Sequence, residues 1–184
     1  MTKSKKARER GREARRRLHE KRRRQERMMI VGGILAATLI VVWLVYAATR
    51  PKPGRAVPDM GNLHIQPPQT AEHNSTPPTS GPHYTQMARW GIHAEPIPNE
   101  LQVHNLEDGG VMVQYNCPEG CEDLVAQLAD IVSRYDEHAI LAPYPEMESR
   151  IALTAWGRID TFDRFDEERI VKFIEAYQGI DHHR

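Results

Sequence analysis

The chain predicts an α+β fold, a small single domain with helices packed on a mostly antiparallel sheet, preceded by one transmembrane helix. Three observations carry that prediction. An uninterrupted apolar run lies near the N-terminus, two stripes at helical spacing occupy the second half, and short apolar runs bounded by Gly, Pro and polar clusters lie among them.

Residues 1–27 hold fourteen Lys or Arg against four Glu, so the net charge of zero conceals a basic head and an acidic remainder. Residues 28–48 contain no charged residue and no histidine. At 1.5 Å per residue these 21 residues make about 31 Å of helix, enough to cross the hydrocarbon core. Basic residues stay on the cytoplasmic side, so the reading is a cytoplasmic segment 1–27, a membrane helix 28–48 and an extracytoplasmic remainder in the cell membrane. Val45-Tyr46-Ala47 would pass as a cleavage site. The apolar run is longer than a signal-peptide core, however, and the basic region is unusually extended, so an uncleaved anchor is expected. Trp43 and Tyr46 fall near its outer end, where aromatic rings favour the interface. The basic block suits anionic lipid better than nucleic acid, because no aromatic residue is interleaved to stack on bases.

Residues 49–60 read as a linker and 61–184 as the extracytoplasmic domain. The stretch up to Pro82 carries most of the prolines and should be extended, ordered where it docks on the domain. Leu101 to His104 and Val111 to Tyr115 read as a strand pair across Gly109-Gly110, whose glycines suit a hairpin turn. Leu124, Val125, Leu128, Ile131, Val132 and Tyr135 form a helical stripe over 122–135. Ala139 to Ala142 and Ile151 to Trp156 read as strands, with Trp156-Gly157-Arg158 ending a buried strand. Asp166 is the N-cap of a last helix, Ile170, Val171, Phe173, Ile174 and Tyr177 line its face, and Gly179 ends it. His182 and His183 read as a solvated tail.

Candidate chemistry rests on side chains in extended or turn segments. His73, His83 and His104 are imidazoles, the commonest protein metal ligands. Met147 or a cysteine would add a soft donor, which favours copper. No HxxxH or paired CxxC spacing exists, so a metal site must be assembled from distant segments. Cys117-Pro118-Glu119-Gly120-Cys121 follows a strand and opens a helix. A disulfide suits an oxidising compartment, and a redox-active thiol at a helix N-terminus is the other reading. Ser80 lies near His83, with Glu107 and Asp108 available to orient a histidine, yet no GxSxG elbow exists and catalysis is not the expected role.

Three stretches together resemble a known family. They are His73-Asn74-Ser75-Thr76-Pro77-Pro78-Thr79-Ser80-Gly81-Pro82-His83-Tyr84 with Trp90-Gly91, Val103-His104-Asn105-Leu106-Glu107-Asp108-Gly109-Gly110, and Ile151-Ala152-Leu153-Thr154-Ala155-Trp156-Gly157-Arg158. The family is the bacterial, membrane-anchored domain of unknown function 3105. The resemblance covers about Gly61 to Tyr177 and implies a fold and a topology rather than an activity. Asp108 stands where the family pattern carries a second histidine. The functional expectation is an anchored domain that binds a metal, copper favoured, through His73, His83, His104 and Met147. The alternative is a non-catalytic module in which the proline-rich loop and Trp90 contact an envelope protein.

Overall fold

The computed structural model describes residues 2–183. The chain divides into two units, Met1–Pro51 and Lys52–Arg184. The first unit is one helix, α1 (Thr2–Thr49). Its stretch Lys21–Ala47 is long and apolar enough to cross a membrane, and large side chains such as Met29, Leu39 and Trp43 stand exposed on it. The Thr38 and Thr49 hydroxyls donate to the carbonyls of Ile34 and Val45, one turn back, so these two polar side chains are satisfied within the helix.

The second unit runs β1 (Arg55–Ala56), β2 (His64–Ile65), β3 (His83–Tyr84), β4 (Gly91–Ile92), α2 (Asn99–Glu107), β5 (Val111–Tyr115), α3 (Glu122–Val132), β6 (Ala139–Pro143), β7 (Ile151–Ala155), β8 (Arg158–Phe162) and α4 (Glu167–Tyr177). Six strands form one sheet in the order β1-β8-β7-β5-β6-β4. The β1–β8, β8–β7 and β7–β5 pairs are antiparallel. The helix crossover β5–α3–β6 makes its two strands parallel, and β4 joins β6 in the same sense. The expected α+β class, with helices on a mostly antiparallel sheet, is what the domain adopts. Strands β2 and β3 form a separate parallel ribbon.

Alternation along the strands sorts side chains onto the two faces of the sheet. Val111 and Val113 of β5, Leu141 of β6, and Ile151 and Leu153 of β7 pack with Leu128, Ile131, Ile170, Phe173 and Ile174 of α3 and α4. Burying an apolar side chain of that size contributes about 1.5–3 kcal/mol relative to leaving it in water. Met112 and Ile140 point the other way, into a cluster with Leu106 of α2, Ala88 and Ile97. The final helix starts where expected: the Asp166 carboxylate accepts the Arg169 amide hydrogen at 3.0 Å, and Gly179 takes a φ of 71° just past its end.

Three local expectations are corrected. Leu101 to His104 is not a strand but lies inside α2. The helix buries Glu100, Gln102, Asn105 and Glu107 beside Val103 and Leu106, so its inward face is largely polar and leaves no apolar stripe to read. Gly109-Gly110 therefore ends a helix instead of turning a hairpin. The Gly109 amide donates to the Leu106 carbonyl and the Gly110 amide to Asn105, the paired bonds of a Schellman motif, with Gly109 at a φ of 79°. Trp156-Gly157 does end the buried strand β7, as expected, and is the two-residue turn of a hairpin, since Ala155 pairs with Arg158 and β8 follows. The stretch read as linker also contains β1: Arg55 pairs with Ile159, and the Tyr177 hydroxyl donates to the Pro53 carbonyl at 2.6 Å.

Candidate metal centre

Four segments far apart in sequence converge at the C-terminal end of α2. Strands β2 and β3 pair with His64 opposite His83, so the register alone sets two imidazoles side by side with ring centroids 4.9 Å apart. His104 and Glu107 are three residues apart on α2 and thus share a face. The Schellman turn fixes the last turn that carries them. The tail after α4 then closes over this end: the Gly179 amide donates to the Gly109 carbonyl and the His182 amide to the Glu107 carbonyl, each at 2.8 Å. An added Cβ at Gly109 would come within 2.6 Å of the Ile180 amide nitrogen, so glycine is needed for that approach.

The proline-rich loop leads directly into β3. Residues 77–81 are buried, and the Ser80 hydroxyl accepts the Met60 amide hydrogen at 3.0 Å. That bond accounts for Ser80 structurally. The indole of Trp156 lies edge-on to His83 with centroids 6.2 Å apart and stacks on His182 at 5.8 Å.

One carboxylate oxygen is the hub. Glu107 Oε2 lies 2.9 Å from His83 Nε2, 3.6 Å from His64 Nε2, 3.9 Å from His104 Nδ1 and 3.4 Å from His183 Nε2. Its other oxygen accepts a hydrogen bond from the Asn62 amide at 2.7 Å. His83 and Glu107 are wholly buried, His104 nearly so, and His64 stands at the mouth with 41% of its side chain exposed. The His64, His83, His104 and Glu107 donor atoms all lie within 4.8 Å of one another, a group able to hold a metal ion. Tetrahedral ligands at 2.0–2.1 Å from an ion are about 3.3 Å apart, so the donors need to close by about 1.5 Å at most.

Two details favour an ion over a plain hydrogen-bond cluster. His83 Nδ1–H donates to the Gly81 carbonyl at 2.8 Å, which directs Nε2 at Glu107 with either a shared proton or a metal between them. A backbone carbonyl holding the far nitrogen is the usual support behind a histidine ligand. Moreover, His104 Nδ1 is buried without a hydrogen-bond partner. An unpaired buried polar atom costs about 1–3 kcal/mol, a cost that a bound ion removes.

The electrostatics are consistent with a ligand set. Burial pushes the Glu107 carboxyl up, but hydrogen bonds from Asn62 and His83 outweigh it and hold the group below its usual range, as a carboxylate. Burial also pushes His104 down; Asp108 opposes this and His83 adds to it. A neutral imidazole beside an ionised carboxylate is the protonation state that a metal requires.

The other residues singled out in the sequence lie elsewhere. His73 packs against Gly81, within 3.1 Å of where a Cβ would stand, but is not one of the converging ligand groups. Burial lowers its pKa, and a hydrogen bond with the Pro82 backbone partly opposes that. Met147 belongs to an apolar cluster with Tyr144 and Ala152. Cys117 and Cys121 sit at disulfide distance with Cα atoms 5.9 Å apart, packed against the core beside α3. His183, expected in a solvated tail, reaches the hub. His64 is not among the residues the sequence singles out, and Glu107 is offered there only to orient a histidine. The H-x-x-E spacing of His104 and Glu107 would have been a signal only once that segment was known to be helical.

No curated protein and no solved structure matches the chain. The profile of the family described as protein of unknown function, DUF3105, matches residues 64–183. The chain belongs to that DUF3105 family.

Proposed function

We propose that this protein is a metal-binding domain tethered to the outer face of a membrane by one helix. The ion is held by His64 Nε2, His83 Nε2, His104 Nδ1 and Glu107, and copper(II) is the favoured ion. One observation carries the reading: the unpartnered, buried His104 Nδ1 faces two imidazoles and an ionised carboxylate whose donor atoms all lie within 4.8 Å. Three imidazoles and one carboxylate suit divalent copper or zinc. Copper(II) has the higher affinity for such N/O donors along the divalent series, whereas zinc(II) prefers the tetrahedral arrangement. Copper(I) would want the thioether of Met147 or a thiol, and those side chains belong to other clusters. The basic block and the apolar helix support a cytoplasmic N-terminus and an extracytoplasmic domain.

The test uses the full-length protein in detergent with its purification tag removed. After loading with Cu(II) or Zn(II) and desalting, metal is measured beside His64→Ala and His104→Ala variants. Near-stoichiometric metal in the wild type, with at least a tenfold weaker hold in both variants, is the expected result. A wild-type protein that retains no ion under any loading sinks the reading. For topology, protease added outside intact cells should remove the domain and leave the basic segment protected.

A further inference from the structure

We infer that the His104 imidazole bridges two metal ions, the second held by Asp108 and His183. The inference rests on the metal-binding reading and extends the same centre. His104 presents its two ring nitrogens to different partners. Nδ1 faces Glu107 Oε2 at 3.9 Å, while Nε2 faces Asp108 Oδ2 at 3.7 Å. His183 Nε2 lies 3.6 Å from Asp108 Oδ1. His104, Asp108 and His183 form a second group whose donor atoms also fall within 4.8 Å of one another. His104 is the residue common to both groups.

The second group is supported as the first is. The Asp181 carboxylate accepts from His183 Nδ1 at 2.8 Å and from the His183 amide at the same distance. Those bonds hold the ring so that Nε2 is left to face the carboxylates of Asp108 at 3.6 Å and Glu107 at 3.4 Å, with the carboxylate–histidine arrangement found behind metal-ligating imidazoles. The tail that carries His183 is pinned by its hydrogen bonds to Gly109 and Glu107. Asp108 is the C-cap residue of α2, placed by the same turn that positions Glu107.

The first ion takes the Nδ1 lone pair of neutral His104. When the second ion binds, Nε2–H is lost: the proton leaves to solvent and the freed lone pair forms the second bond. No electron moves, and the imidazolate couples the two ions. Three protein donors hold the second ion, leaving coordination positions for water or a small anion, whereas four hold the first.

The experiment titrates tag-free, full-length protein in detergent with Cu(II). Bound metal is counted by mass spectrometry and unpaired spins by frozen-solution electron paramagnetic resonance. Wild type should bind two ions and show a normal spin count at one equivalent. At two equivalents the spins should fall well below the metal content, because an imidazolate bridge couples them. Asp108→Asn should stop at one ion and keep the first-site spectrum, which also shows that it is folded, and His183→Ala should likewise stop at one ion. A wild type that saturates at one ion overturns the bridge and leaves the first site standing. Two ions with a full spin count overturn it as well, and no bound ion removes both readings.

Discussion

Glu107→Gln isolates the hub without changing its shape. In the metal-free protein the carboxylate accepts from His83 at 2.9 Å and from Asn62 at 2.7 Å. The amide oxygen can still accept from Asn62 and the amide NH2 can donate to His83 Nε2, so a charge-assisted bond is exchanged for a neutral one. Such bonds contribute about 1.5–3 and about 0.5–1.5 kcal/mol respectively, a difference of about 1–1.5 kcal/mol. For a domain of this size, about 1 kcal/mol moves Tm by about 3–5 °C, so the metal-free variant should melt about 3–8 °C lower. Metal affinity should suffer more. Removing an outer-sphere partner alone costs about 10–100-fold, and loss of an anionic ligand should exceed that. The assay is competition with a chromophoric chelator, paired with thermal melts with and without Cu(II). Wild type at 100-fold excess of free metal over Kd should gain about 2.7 kcal/mol, and the variant far less. A Gln variant that competes for copper as well as wild type would refute the assignment of Glu107 as a ligand.

Other consequences concern pH, the helix end and the cysteines. His104 is lowered from 6.5, so the unfolded chain takes up a proton there that the folded state refuses, and stability falls as pH drops below 6.5. Glu107 is lowered from 4.5, so its contribution is present above that value and lost as pH falls below it. His183, raised chiefly by its hydrogen bond to Asp181, acts in the opposite direction, but it is exposed and screened. The Tm of metal-free protein should therefore decline from pH 7 to pH 4, and a flat profile would contradict these assignments. Gly110→Ala sets a Cβ against the Asn105 carbonyl oxygen and 2.8 Å from the Trp90 ring. It should cost about 1–3 kcal/mol in chemical denaturation and weaken metal binding by displacing Glu107. Replacing Cys117 and Cys121 with Ser opens a closed loop of five residues, which should cost about 2 kcal/mol. Metal stoichiometry should not change; a lost ion would bring the thiols back as ligands.

The parts legible in the sequence were those governed by local periodicity. The stripe from Ile170 to Tyr177, the Asp166 cap and the 122–132 helix announce themselves because apolar residues recur at helical spacing. Helix α2 does not, because its inward face carries Glu100, Gln102, Asn105 and Glu107, and Gly-Gly is equally good as a hairpin turn or a helix end. Half of the candidate centre was hidden with it: Glu107 is a turn acid until α2 is a helix, and then it stands one turn from His104. His64 and His83 meet through a strand register set nineteen residues apart, for which no short-range signal exists. His183 joins through a tail whose path depends on Gly109 admitting the backbone of Gly179 and Ile180. His83 and His104 stand out in the sequence as imidazoles, and that chemistry is more informative than the extended or turn segments expected to carry them.

Anomalous diffraction from crystals grown with Cu(II), collected on both sides of the copper edge, tests the central claim most directly. The account predicts a strong peak about 2.0–2.2 Å from His64 Nε2, His83 Nε2, His104 Nδ1 and a Glu107 oxygen, with the His83–Gly81 hydrogen bond retained. A peak on other side chains, or none at full occupancy among these four, would contradict it.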